Sequence, residues 1–124
     1  MNISRNFILI GIVFLAIGVF IGMYMAAADN PDLAVVHAHI NLLGFTLMMV
    51  FGLTYHAFPA MVNRLGVVHF WLHTVGSLVL LILLYLLFSK KIPEESMVPL
   101  APIAEVAIFI GVLIFLWNAW KNAK

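Results

Sequence analysis

Five histidines, His37, His39, His56, His69 and His73, stand inside stretches that otherwise carry almost no ionisable side chain. An ionisable group within a membrane-crossing segment is costly, and by default it marks a place where chemistry happens. The sharpest pair heads the segment VVHAHINLLGFTLMMVFGLTYHAFP, residues 35–59, where His37 and His39 are separated by a single alanine. A helix turns about 100° per residue, so these imidazoles project about 200° apart, toward nearly opposite faces. They cannot chelate one ion as a pair. The spacing suits two separate sites, or one kind of site shared between neighbouring copies of the chain.

Depth separates the remaining histidines from this pair. At about 1.5 Å of rise per residue, His56 lies roughly 25 Å from His39 along the same helix, and His69 and His73 fall in that far half of the following span. No monomeric bundle can therefore bring either of the outer pair onto a metal bound by these inner histidines. At the level of His37 and His39 the other polar or soft side chains are Met23, Tyr24, Met25, Asn41 and Glu105. Glu105 is at about the depth of His39 and could accept the second ring N–H of a ligating histidine, fixing its tautomer. A carboxylate in the first turn of a helix is equally favoured by the macrodipole and reaches water by itself. An H-x-H near a membrane boundary also fits imidazoles bonded to carbonyls or lipid headgroups, because polar groups cost less there than at the midplane.

These residues need long apolar helices to hold them, and the composition supplies nothing else. The chain has 124 residues, 65% hydrophobic and 9% charged, too little polar surface for a soluble globule. A bilayer takes about 20 apolar residues per crossing, and four stretches meet that length, interrupted only by Glu105 in the last. The reading is an all-α integral membrane four-helix bundle, one domain over residues 1–124, with helices near 7–27, 34–58, 67–88 and 101–120. Turn-forming residues at 29–32, 59–66 and 90–102 set those limits. Arg5 followed by an apolar run and Ala26-Ala27-Ala28 has the parts of a signal peptide, but the run is too long for one. Arg5, Arg64, Lys121 and Lys124 fall on one side, so both termini are expected in the cytoplasm.

Several function classes drop out. A net charge of +1 without a basic cluster gives no support for a nucleic-acid partner. The absence of cysteine removes disulfides, thiolate metal sites and covalent c-type heme attachment. No broken helix or inverted repeat suggests a transporter. Four helices of this size have little interior for a large cofactor, so homo-oligomerisation within the lipid bilayer is expected.

The run HAHINLLGFTLMMVFGLTYHAFP, residues 37–59, resembles the tenth transmembrane helix of the catalytic subunit, subunit I, of heme-copper oxidases. It is most similar to the branch containing nitric oxide reductases and the cytochrome c oxidases with b- and c-type hemes. VVHFWLHTVGSLVLLILLYL, residues 67–86, resembles the helix that follows it in that family. The resemblance implies that His37 ligates the high-spin heme and His39 the low-spin heme, one on each face. It gives no ligand role to His56, His69 or His73. The family's other low-spin ligand, its three copper ligands and its cross-linked tyrosine have no counterparts in four spans, so oxygen reduction is not expected.

The resulting expectation is a membrane b-type heme protein, of a bacterial inner membrane, for electron transfer or binding of NO or O2. Heme b would be held by His37 and His39 between subunits, with Tyr24 and Asn41 near its propionates and Glu105 behind a ligand. Two alternatives stay open: a cofactor-free accessory subunit of a larger oxidase, and a copper site assisted by Met23 or Met25, since imidazole and thioether suit copper.

Overall fold

The computed structural model describes all 124 residues. It is all-helical, with four helices long and apolar enough to cross a membrane: α1 (Ile3–Ala28), α2 (Ala34–Ala57), α3 (Arg64–Phe88) and α4 (Leu100–Asn122). Short 3₁₀ turns, Pro59–Met61 and Glu94–Met97, lie in two of the connections.

Polar caps carry two helices past the limits that hydropathy sets. The Asn2 side chain accepts the Arg5 N–H at 3.0 Å, so α1 begins four residues before Phe7. Asn63 accepts from the N–H groups of Leu65 and Gly66 at 2.9 and 3.2 Å, and α3 begins at Arg64. Asparagine suits this position because its carbonyl satisfies N–H groups that have no partner inside the helix.

The surface is apolar where a soluble protein's would be polar. Phe20, Leu53, Trp71 and Phe109 are among many large hydrophobic side chains left exposed, whereas His69, His73, Ser77 and Asn118 are fully buried. Lipid does not drive such helices together by hydrophobicity, so close approach and internal hydrogen bonds must do so. On α1 the buried residues Ile3, Phe7, Gly11, Phe14, Gly18 and Ile21 recur in steps of three and four, one stripe that packs on α2. The other extensive contact joins α3 to α4. There Gly76 lies under Ile108 and the Ala104 carbonyl, and Gly111 lies against Leu72.

Asn118 ties the end of the bundle that holds both termini. Its amide donates to the Met61 carbonyl at 2.9 Å, and its carbonyl accepts from the amides of Asn63 and Asn122, each at 2.8 Å. Hydrogen bonds within membrane proteins average about 0.6 kcal/mol each. Asn118→Leu is therefore expected to lower unfolding free energy by about 2 kcal/mol, against about a third of that for Asn122→Leu. Unfolding followed by circular dichroism as detergent is titrated to denaturing strength measures both.

One departure from the expected regular helix lies in α2. Residues Ile40–Thr46 form a π-helical segment in which the Leu47 N–H reaches back to the Leu42 carbonyl. Its cause is visible in the burial pattern. Val36, Ile40, Gly44 and Met48 are buried in steps of four, longer than the 3.6 residues of an α-turn, and only an underwound stretch keeps them all facing the core. The Thr46 hydroxyl donates to the Asn41 carbonyl at 2.8 Å and so occupies an acceptor within the widened turn.

Candidate functional site

His37 and His39 occupy the first turns of α2, immediately before the π-helical segment. As the helical geometry requires, they take separate directions, and each ring is fixed by a backbone carbonyl. His37 turns inward: its Nδ1 lies 2.8 Å from the Gly18 carbonyl of α1. A carbonyl only accepts, so Nδ1 carries the proton and Nε2 carries the lone pair. That lone pair is occupied, because the Asn41 amide donates to Nε2 at 3.2 Å. Two glycines make room for the arrangement. A Cβ at Gly22 would stand 3.0 Å from the ring's Cε1, and one at Gly18 would collide with the Asn41 side-chain oxygen.

His39 is half-buried and bonds within its own helix, Nδ1 donating to the Val35 carbonyl at 2.8 Å. The same reasoning places its lone pair on Nε2, which makes no hydrogen bond within the chain. Its tautomer is the one a metal-ligating imidazole adopts when a carbonyl holds the other nitrogen.

Glu105 takes no part in orienting either ring within one chain. The ring N–H bonds that it was positioned to accept go to the carbonyls of Gly18 and Val35, and its carboxylate is exposed on α4, which packs mainly on α3. Tyr24 is exposed on α1 and lines a cavity with Tyr85, Lys90 and Lys91 that includes neither histidine. Asn41, expected near the propionates, donates its side-chain amide to the ring nitrogen of His37. Met23 is exposed and Met25 packs against the core, and neither sulfur bonds an imidazole. No three or more histidine, cysteine or carboxylate side chains gather closely enough to hold a metal ion. Four surface cavities, among them those lined by Tyr24 and by Trp71, include neither His37 nor His39. Of the two rings, only that of His39 keeps a ring nitrogen that could hold a heme iron, and a single chain shows no enclosure for a porphyrin around it.

The far histidines are core residues, apart from His56, which is exposed. The Tyr55 hydroxyl and His69 Nδ1 are 2.9 Å apart, and His73 Nε2 donates to the Leu43 carbonyl at 3.1 Å. Phe51 stands almost perpendicular to both imidazoles, its ring centre 4.5 Å from that of His69 and 4.9 Å from that of His73. His69 Nε2 and His73 Nδ1 have no hydrogen-bond partner. Tyr55→Phe would leave His69 with neither nitrogen bonded, an expected loss of about 1 kcal/mol. The double variant Tyr55→Phe/His69→Phe is expected to recover most of it, because removing both partners of a buried bond costs less than removing one. Thermal unfolding in detergent compares the three chains.

Sequence reasoning missed Gly18 and Gly22 as parts of the site. Their signal was present as Gly11, Gly18 and Gly22, which fall on one face of α1. Comparison with protein-family models, with curated proteins and with solved structures gave no match.

Proposed function

We propose that this chain is a membrane b-type heme protein that holds its cofactor between copies of itself, with His39 as the protein ligand. The carrying observation is the state of the His39 ring: a carbonyl fixes Nδ1–H, and Nε2 is left with a free lone pair outside the bundle. Support also comes from the resemblance of residues 37–59 and 67–86 to two consecutive helices of heme-copper oxidase subunit I. The chemistry heme b would supply is one-electron transfer, or binding of a diatomic gas if the chain provides a single ligand.

The chain's own residues then have distinct tasks. Val35 orients the ligand, and apolar side chains of α2 such as Val35 and Leu42, both exposed, offer the surface that a porphyrin needs. His37 is engaged by Gly18 and Asn41, so it becomes a ligand only if the Asn41 amide turns away. Pairing of His39 with its counterpart in a second copy across a two-fold axis would leave that bond intact and let two imidazoles hold the heme. A ring of subunits, pairing His37 of one copy with His39 of the next, requires Asn41 to move.

The test is an absorption spectrum of the detergent-purified chain supplied with heme during expression, recorded oxidised, dithionite-reduced and reduced under carbon monoxide. Sharp split bands on reduction, unchanged by carbon monoxide, are expected for closed bis-imidazole iron. A carbon monoxide shift would assign an open position. A colourless protein would sink the heme reading in favour of an accessory subunit.

A further inference from the structure

The end of the bundle that carries the α1–α2 and α3–α4 connections contains a cavity of about 530 Å³. Its lining is apolar in part, with Phe20 of α1 and Phe88 of α3, and also carries Tyr24, Tyr85, Lys90 and Lys91. Lys90 and Lys91 are the only lysine or arginine side chains between Arg64 and Lys121. Both line this one cavity, although four carboxylates, Asp29, Asp32, Glu94 and Glu95, belong to the same two connections.

The charges within the cavity do not cancel. Asp32, also in the lining, pairs with Lys90 at 3.2 Å. Lys91 has no carboxylate partner, and its ammonium stands 5.2 Å from the centre of the Tyr85 ring. Two ammonium groups against one carboxylate leave a net single positive charge, and the phenol hydroxyls add further hydrogen-bond donors. A ligand suited to this lining has a negative, acceptor-rich head and an apolar body. Phe20, among the most exposed side chains of α1 at 69%, continues the apolar part of the lining onto the outer surface of the bundle. Tyrosines at the depth of headgroups and lysines that meet phosphate are the usual means by which a helical bundle holds an anionic lipid.

We propose that this cavity binds an anionic phospholipid, its phosphate against Lys91 and the tyrosine hydroxyls and its acyl chains along Phe20 and Phe88. Asp32 weakens the site by neutralising Lys90, so removal of that carboxylate should strengthen binding. Nothing in the inference depends on heme, and its failure leaves the heme reading where it stood.

Native mass spectrometry of the delipidated full chain, offered phosphatidylglycerol, phosphatidylcholine or inorganic phosphate, tests it. One phosphatidylglycerol per chain should be retained in preference to phosphatidylcholine. Lys91→Gln should reduce retention about fivefold, Lys91→Arg should preserve it, and Asp32→Asn should increase it. Thermal unfolding of each variant checks that the bundle is intact. Equal retention of the two lipids, or indifference to Lys91→Gln in a folded chain, overturns the proposal. Displacement of the lipid by millimolar inorganic phosphate also overturns it, assigning the cavity to free phosphate.

Discussion

A His39→Ala chain is expected to purify without heme, its affinity lowered more than about 100-fold. Loss of a residue that merely orients a ligand already costs 10- to 100-fold, and His39 is proposed as the ligand itself. His37→Ala should behave differently. It removes the bonds to Gly18 and Asn41 and lowers stability, but in a symmetric His39 pairing it leaves the iron's partner in place. Heme content per chain, measured by the pyridine hemochrome method beside a folding check, reads both variants. Free imidazole added to His39→Ala should restore the spectrum, because the small molecule can occupy the position of the missing ring. Loss of heme from both variants would instead favour the alternating ring. Loss from His37→Ala alone would exchange the roles of the two histidines, and full retention in His39→Ala would remove His39 from the site.

Gly44→Leu is the second large effect, an expected loss of about 3 kcal/mol. Gly44 belongs to the π-helical segment and faces Phe14 of α1, and even a single added Cβ would lie 2.5 Å from Phe14 Cγ and 2.7 Å from its Cδ1. No rotation of a leucine side chain removes that first contact, so α1 and α2 must separate or Phe14 must leave the core. Separation has a particular cost in lipid, where packing between close backbones does the work that hydrophobicity does in water. It also stretches the His37 bond to the Gly18 carbonyl, which lies one helical turn from Phe14 on the same face. Gly44→Ala should cost about half as much. Unfolding in increasing denaturing detergent measures the loss, and the imidazole ¹⁵N shifts of His37 report whether its hydrogen bond to α1 has opened. An unchanged unfolding midpoint in Gly44→Leu would mean that the helices do not approach as closely as the structure has them.

Most of the helical architecture was legible in the residues. Hydropathy over lengths that cross a bilayer, ended by proline, asparagine and charged residues, determined four helices, their approximate limits and an apolar exterior. The period of the α-helix placed His37 and His39 on separate faces and set the far histidines apart from them. These are local properties, fixed by residue type and spacing alone. What each ring nitrogen bonds to was beyond reach, because Gly18 belongs to α1 and is 19 residues away in the chain. Only the packing of α1 on α2 brings its carbonyl to His37, and only the underwound segment after His39 holds Gly44 against Phe14. Tyr24 and Glu105 show the same limit. Sequence placed both at the depth of the histidines, since depth follows from rise along a helix. The tertiary structure placed Tyr24 in the lining of a cavity that excludes both histidines and left Glu105 exposed on α4, since the azimuth of a side chain around the bundle is decided by how the helices pack.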